Sequence, residues 1–429
     1  MSDALERIRE QSQRLVEMAR GIQVLGRLTW PSDVVDAFVE GWHQGKRELP
    51  VVAPPSVDLS SEIDGLEGLL DELDLGHPLG RYLAATAASY LDAARLVSAA
   101  GTRGFLELSR NLYGDPSSRM PGTDASYLDA AQALLDATGP LAESVGPDPG
   151  DYCLTAEHVR RELQQRIDGF FTQHQVEVVI DESLASKAAA SATRIRIRGR
   201  TCFSDEDLAQ LLEHEAFVHS ATALNGRAQP LVDALGLGAP RTTATQEGLA
   251  TLAEVLTGAI DLARLRRLAL RTVAVHNALD GADFIDTFRF FLEQGQTEME
   301  SVRSAMRVFR GGDLRGRVVF TKDAVYLHGL FSVHTFFRKA IAEHRVSLVR
   351  RVFAGRLSLA DVLDLEEAFE AGWIREPLYV PRWAASTHTL AATLAFSRVV
   401  NRIDLEQVGL HDLNPVSVRP PPVAPRGGE

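Results

Sequence analysis

Residues 214–219, which read His-Glu-Ala-Phe-Val-His, constrain this chain more than any other stretch. Two imidazoles that flank a carboxylate on one helix are the groups that a zinc peptidase uses: the histidines bind the metal, and the glutamate activates a water molecule. The common motif spaces its histidines four residues apart, whereas His214 and His219 are five apart. Residues five apart lie about 140° apart around a regular α-helix of ~3.6 residues per turn. The spacing therefore predicts a local widening of the helix, a π-type turn, at residues 214–219.

The flanking residues predict that the motif lies inside a well-bounded helix. Ser204 is the predicted N-cap, and Asp207 three residues later completes a capping box. Leucines between 208 and 212 supply a buried face, and Asn225-Gly226 marks the C-terminal end. This context favours a metal site. The alternative is a buried helix whose two histidines are hydrogen-bonded to protein groups.

The composition excludes several classes of protein. The formal net charge of −13 argues against a nucleic acid or an anionic membrane surface as partner. No apolar run approaches the ~18 residues that a membrane span needs, and the first residues lack the basic start and apolar core of a secretory signal. The two cysteines, Cys153 and Cys202, form no disulfide framework and fit a reducing compartment. We therefore expect a cytoplasmic protein with neither a nucleic-acid nor a membrane partner.

Hydrophobic periodicity predicts an α+β fold that is predominantly α-helical. Residues 1–150 form a predicted N-terminal helical region, and residues 151–385 form the domain that carries the motif. Residues 386–413 are a predicted C-terminal helical extension. The remaining residues, 414–429, are rich in proline and are predicted to be disordered.

Two strands are predicted within the second domain, at residues 175–180 and 194–198. The second of these alternates arginine with isoleucine, and in an acidic chain this pattern favours an edge strand with a solvated arginine face. Predicted helices include residues 155–169, 283–309 and 386–400.

A third metal ligand is expected, because catalytic zinc commonly takes three protein ligands and leaves one position for water. Glu247 and Glu254 lie seven residues apart, on a similar face of the next predicted helix. Glu247 is favoured as the ligand, since it lies at the start of that helix beside a glycine that lets another chain come close. Glu254 would then orient a histidine through its other ring nitrogen. The opposite assignment remains open.

Three further residues are candidates for catalysis. Glu215 would take a proton from the attacking water and deliver it to the leaving amine. The tetrahedral oxyanion needs a donor besides the metal, and Tyr326 and His328 are the candidates. For each of these two residues, a structural role in the core or at the surface is the alternative.

The chain resembles a known family through several motifs that occur in order. These motifs are the His-Glu-Ala-Phe-Val-His stretch, Gln-Glu-Gly-Leu-Ala at 246–250, and Phe-Thr-Lys-Asp at 320–323 followed by Tyr326, Leu327 and Gly329. Gly101-Thr102 and residues 112–114 also look like family positions, so the resemblance covers most of 80–380. The family is known in bacteria as the flavohaemoglobin expression-modulating QEGLA-motif proteins. Its eukaryotic relatives include the microtubule-associated tyrosine carboxypeptidases.

The resemblance implies a zincin-like, gluzincin-type metallopeptidase core with flanking helices. It implies that His214, His219 and Glu247 bind Zn²⁺ and that Glu215 is the catalytic acid and base. It also implies carboxypeptidase chemistry, with a peptide or protein C-terminus as the substrate. Nothing in the sequence requires tubulin, the substrate of the eukaryotic members.

A carboxypeptidase must bind the terminal carboxylate of its substrate, and arginine or lysine does this best. Lys322 is the leading candidate, because it lies in a matched motif and the chain has few lysines. Arg310 and the arginine face of 194–198 are the others, and 194–198 could also pair as an edge strand with an extended substrate. Two other functions remain open: a non-catalytic regulatory or interaction protein that retains the fold, and a zinc amidase acting on a non-peptide substrate.

Overall fold

The structure, a computed structural model, describes residues 3–402 except 56, 146–152, 183 and 185, together with residue 407. Residues 1–385 form one compact unit, and residues 386–429 form a second. The predicted domain boundary near residue 150 and the predicted disordered tail, 414–429, lie outside the described residues. No helix in the described part of the chain is long and apolar enough to cross a membrane.

Helices dominate the described residues, as predicted. The α-helices of the N-terminal part are α1 (Asp3–Ala19), α2 (Val24–Leu28), α3 (Ser32–His43), α4 (Ser60–Glu72), α5 (Pro78–Ser98), α6 (Arg103–Tyr113) and α7 (Tyr127–Val145). Those that follow are α8 (Ala156–Asp168), α9 (Asp205–Leu211), α10 (Ala221–Arg227), α11 (Thr243–Thr257), α12 (Leu262–Asp280), α13 (Phe284–Glu293), α14 (Glu298–Phe309), α15 (Val325–Ala342), α16 (Ser347–Arg351), α17 (Leu359–Asp364), α18 (Glu366–Glu370), α19 (Arg382–Ala385) and α20 (Thr387–Val400). Short 3₁₀ turns cover Asp233–Gly236, Pro240–Thr242, Thr321–Ala324 and Val352–Ala354.

One predicted helix, 283–309, is divided in the structure into α13 and α14. Gly295 between them has a φ of +85°, a left-handed conformation that favours glycine and ends the first helix. Thr297 and Glu300 then form a capping box that starts the second helix. The apolar periodicity continues across the break, and for this reason the sequence favoured one helix.

A three-stranded sheet is formed by β1 (Glu177–Asp181), β2 (Ala188–Ala190) and β3 (Arg194–Arg198), in the order β1-β3-β2. β3 pairs parallel with β1 and antiparallel with β2. The prediction that residues 194–198 form an edge strand is therefore wrong. β2 pairs with the edge of β3 that was expected to be open. Its three alanines carry little strand propensity, so this strand could not be recognised from its residues.

The sheet packs against the elements that hold the motif. Ile195 and Ile197 are fully buried and share a core with residues from α8, α9 and α10. On the opposite face of β3, Arg194 and Arg196 form ion pairs with acidic residues of β1. The alternating residues of β3 therefore face opposite sides of the sheet as predicted, with isoleucine toward the core and arginine away from it.

Two glycines allow α11 and α15 to cross in close contact. A Cβ atom at Gly248 would lie 2.1 Å from the carbonyl carbon of Gly329, and one at Gly329 would lie 1.9 Å from the carbonyl oxygen of Ala244. Only glycine fits at such a distance. This crossing confirms that the glycine beside Glu247 lets another chain come close, and it brings the start of α15 to the start of α11.

The two cysteines form a disulfide bond between Cys153 and Cys202, which lie 49 residues apart in the sequence. Next to it, the backbones of Leu154 and Phe203 pair as an isolated antiparallel bridge. The inference that these cysteines are unpaired is therefore wrong, and the argument for a reducing compartment that rested on it no longer applies. The sequence alone could not place two residues from separate elements 4.8 Å apart between their Cα atoms.

Replacing both cysteines by serine should lower the free energy of unfolding by about 2–4 kcal/mol, because the open chain gains loop entropy when unfolded. Urea denaturation of the oxidised wild type and of the double variant measures this difference. Added dithiothreitol is the matched control, since it should bring the wild type to the midpoint of the variant. A wild-type midpoint that does not respond to the reductant contradicts the disulfide.

Candidate active site

The motif lies in a π-helix, Leu212–Ser220, that continues directly from α9 and runs into α10. Its i→i+5 hydrogen bonds place residues five apart above one another. The rings of His214 and His219 consequently lie 4.7 Å apart between centroids, at an angle of 86°. The predicted widening is confirmed. The predicted capping box of Ser204 and Asp207 at the start of α9 is also present.

Two histidines and one carboxylate converge beside this π-helix. Glu247, in the first turns of α11, has its Oε2 atom 3.5 Å from His214 Nε2 and 3.9 Å from His219 Nε2. The candidate ligand atoms of the three residues all lie within 4.8 Å of one another. Among the described residues, this is the group of histidine, cysteine and acidic side chains that could hold a metal ion.

The donor set fits a divalent metal. Bonds of ~2.0–2.2 Å in a tetrahedral site place neighbouring ligand atoms about 3.5 Å apart, close to the two measured separations. Burial lowers the pKa of His214, but its hydrogen bonds to Glu247 and Glu254 outweigh burial and raise that pKa to about 10. Burial and the charged His214 lower the pKa of His219 to about 3. The carboxylates that face His214 thus raise its pKa, and the same negative charges would stabilise a bound cation.

Glu254 lies seven residues after Glu247 on α11 and contacts His214. Its Oε1 atom is 2.6 Å from His214 Nδ1, so the hydrogen bond leaves Nε2 pointing at Glu247. Arg264 Nη2 and Gln210 Nε2 donate to the same oxygen, at 3.1 and 3.2 Å. Burial of this carboxyl disfavours its charged form, but Arg264 outweighs burial and lowers the pKa of Glu254 to about 2. A metal-binding histidine is commonly oriented by a carboxylate that binds its second ring nitrogen, as Glu254 binds Nδ1 of His214 here.

Lys322 contacts Glu247 on the side away from the histidines. Its Nζ atom is 3.3 Å from Glu247 Oε1, and the residue is only 7% exposed. This ammonium outweighs the effect of burial and holds the pKa of Glu247 well below its usual range. Lys322 is thus engaged with a candidate ligand and does not line the cavity described next.

A cavity of about 600 Å³ opens beside the triad. His214, Glu215 and Tyr326 form part of its wall, and so do both cysteines of the disulfide. Six arginines among the described residues also line it, namely Arg198, Arg264, Arg267, Arg271, Arg303 and Arg307. Five acidic side chains from the described part of the chain line it too, so the basic groups outnumber the acidic ones only modestly, although the whole chain is acidic.

Glu215 meets the requirements for a proton-transfer group in this cavity. Burial raises its pKa, and the neighbouring Glu247 raises it further, against the opposing effect of His214 and Arg264. The backbone N–H of Ala190 in β2 donates a hydrogen bond to the carboxylate. A carboxyl whose pKa is raised can accept a proton and return it near neutral pH.

Tyr326 and His328 occupy different places, although only one residue separates them. Tyr326 lines the cavity, and its hydroxyl accepts a hydrogen bond from Arg307 Nη2 at 3.4 Å. Burial and Glu247 raise the pKa of this hydroxyl, but Lys322, Arg307 and Arg271 outweigh them and lower it. His328 is absent from the cavity wall, and its ring contacts that of Tyr127 in a tilted arrangement, with centroids 4.5 Å apart.

Most of the arginines predicted to bind the substrate carboxylate do not line the cavity. Arg310 is 5% exposed, lies 5.2 Å from the ring of Phe320, and does not line the cavity. Of the three arginines in β3, only Arg198 reaches the cavity wall. Sequence reasoning missed the arginines of α12 and α14, because nothing in a helical run of arginines shows which of them will face a cavity.

Comparison with known proteins adds the family. A sequence model of the family described as microtubule-associated tyrosine carboxypeptidase matches residues 39–402, which is most of the chain. The chain belongs to this family. Family membership indicates a carboxypeptidase-like hydrolase, and it confirms that part of the resemblance seen in the sequence. The matched family's description does not mention flavohaemoglobin expression, so the bacterial family name expected from the resemblance is not confirmed. No curated protein matches the chain significantly.

Replacing Glu254 by Gln should weaken divalent-metal binding by 10- to 100-fold, because His214 loses the carboxylate that orients its ring. Competition with a chromophoric chelator measures the dissociation constant, and circular dichroism verifies the fold. Glu213→Gln is the matched control, since burial raises the pKa of Glu213 to about 7 and a neutral side chain costs little there. Equal metal affinity in Glu254→Gln and Glu213→Gln contradicts the orienting role.

Proposed function

We propose that this protein is a zinc-dependent carboxypeptidase with a zincin-like core, which removes the C-terminal residue from a peptide or protein. One observation carries the proposal: His214, His219 and Glu247 converge within 4.8 Å, and His214 and Glu215 line the cavity beside them. A motif helix, an acidic ligand on the following helix and an adjacent small sheet are together typical of a gluzincin. Family membership supports the reaction class.

His214, His219 and Glu247 would hold the ion. Bound zinc lowers the pKa of a water molecule to ~7 and polarises a carbonyl group. Glu254 and Lys322 keep two of these side chains in place, through a 2.6 Å contact to His214 and a 3.3 Å contact to Glu247. The role proposed here for Lys322 differs from the sequence-based expectation, because its ammonium is already paired with a ligand.

Glu215 takes the proton of the attacking water and later delivers it to the leaving amine. The buried position that raises its pKa favours both transfers. Tyr326 would donate its hydroxyl proton in a hydrogen bond to the oxyanion. Lys322, Arg307 and Arg271 lower the pKa of that hydroxyl, which strengthens it as a donor. His328 has no part in this step.

β1 and β2 are the two edge strands of the sheet, and of these two only β2 contributes a residue to the cavity wall, so β2 is the strand proposed to pair with the substrate. Ala188 lines the cavity, and the amide of Ala190 donates to Glu215. An extended peptide that pairs with β2 would therefore run past the proton-transfer group. The small side chains of this strand leave room for such a peptide.

Two variants test the proposal together. Glu215→Gln should retain about one zinc per chain but lose at least about 10³-fold in turnover, because only the proton transfer is removed. His214→Ala should lose the metal as well. Metal analysis and mass spectrometry of peptides ending in different residues, including tyrosine, provide the two measurements.

The predicted product is the single C-terminal amino acid. A folded wild type that binds no metal would favour the non-catalytic alternative. Internal peptide fragments would contradict the carboxypeptidase assignment. Zinc binding without any peptide product would favour an amidase that acts on another substrate.

A further inference from the structure

Buried positive charge exceeds buried negative charge at one wall of the cavity. Arg307 and Arg271 lie beside the carboxylate of Asp323, which is 1% exposed, and its charge also acts on the buried Arg310. Arg307 binds both oxygens of that carboxylate, at 2.7 and 2.6 Å. Asp323 therefore compensates one guanidinium well and leaves the others without an equivalent partner.

Arg271 is a guanidinium of the cavity wall that has no close carboxylate partner in the described part of the chain. Its Nε atom lies 3.9 Å from Asp323 Oδ2, too far for a hydrogen bond, and has no hydrogen-bond partner among the described residues. The side chain is 14% exposed. Burial and the neighbouring Arg307 lower the pKa of Arg271 to about 9. Since a buried charge without a partner is costly, the site is suited to an anionic ligand.

The other cations near the triad are already occupied. Both nitrogens of Arg264 that reach Glu254 are hydrogen-bonded to it, and Lys322 is bound to Glu247. Arg310 lies behind the cavity wall. Arg271 and Lys322 each lie 5.2 Å from the ring centroid of Tyr326. Arg271 and Lys322, which contacts the candidate ligand Glu247, therefore both lie against Tyr326.

We propose that Arg271 binds the α-carboxylate of the substrate's C-terminal residue. A guanidinium can donate two parallel N–H groups to a carboxylate, which fixes its direction as well as its position. The proposal requires the scissile carbonyl to lie at the triad while the carboxylate is bound to Arg271, so that a single residue, with its Cα ~3.8 Å from the preceding one, spans the two. This inference rests on the proposed carboxypeptidase function and explains why cleavage would stop at the last peptide bond.

The test compares Arg271→Gln with Arg267→Gln, an arginine one turn earlier on α12 that lines the same cavity. Both changes are made in the zinc-loaded Glu215→Gln protein, so that the substrate binds without being cleaved. The probe is a fluorescein-labelled pentapeptide ending in tyrosine, prepared as the free acid and as the C-terminal amide. Fluorescence anisotropy gives each dissociation constant independently of turnover.

In the zinc-loaded Glu215→Gln protein with both arginines intact, the free-acid peptide should bind on the order of 100-fold more tightly than the amide. Arg271→Gln should abolish this difference by weakening the acid alone, and Arg267→Gln should change it by less than about threefold. The inference is overturned if the Glu215→Gln protein binds acid and amide equally, or binds neither. It is also overturned if the preference for the acid is unchanged in Arg271→Gln. Loss of metal in the starting protein would instead overturn the proposed function.

Thermal stability separates a binding role from a structural one. If Arg271 is held in place for a ligand, Arg271→Gln removes repulsion from Arg307 and should leave Tm unchanged or raise it by up to about 3 °C. A structural ion pair with Asp323 would give a lower Tm instead. A fall of several degrees overturns the inference.

Discussion

The widened turn from Leu212 to Ser220 is the constraint on which the candidate site depends. In a regular α-helix, His214 and His219 would point in directions about 140° apart, and no single ion could bind both. A π-helix is rare and must be stabilised by its surroundings. Here a capping box fixes the helix that precedes it, a buried sheet supports one face, and the bond from Glu254 fixes His214.

Buried charges alternate in sign through the site. Arg264 binds Glu254, Glu254 binds His214, His214 faces Glu247, and Glu247 binds Lys322. Each charge is compensated by the next, so the donor atoms can be held rigidly in a place where an isolated charge would be unstable. The cavity beside this chain of charges is different, because arginines predominate there. That contrast distinguishes the candidate metal-binding group from the arginine-lined cavity beside it.

Much of the metal centre could be predicted from the sequence, because its signals are local. The spacing of the histidines required the π-turn, and the glycine beside Glu247 indicated a close helix crossing, which the structure contains at Gly248 and Gly329. The family resemblance depended on the same short motifs, and the family match agrees with it.

The rest of the site depends on contacts between distant segments, and such contacts leave no local pattern. β2 consists of three alanines, and its position moves β3 from the edge to the centre of the sheet. The disulfide joins residues 49 positions apart. Lys322 was expected to bind substrate because lysine is scarce, but its partner, Glu247, lies 75 residues earlier in the chain. The cavity arginines become recognisable only when α12 and α14 are packed together.

Zinc K-edge X-ray absorption of the purified protein is the most direct test of the central claim. The account predicts a shell of two imidazole nitrogens at ~2.0–2.1 Å with oxygen ligands at ~2.0–2.2 Å, and loss of one imidazole in His219→Ala. Both cysteines line the same cavity, so a sulfur shell is the informative alternative. Sulfur at ~2.3 Å, or a folded protein that takes up no zinc, would contradict the account.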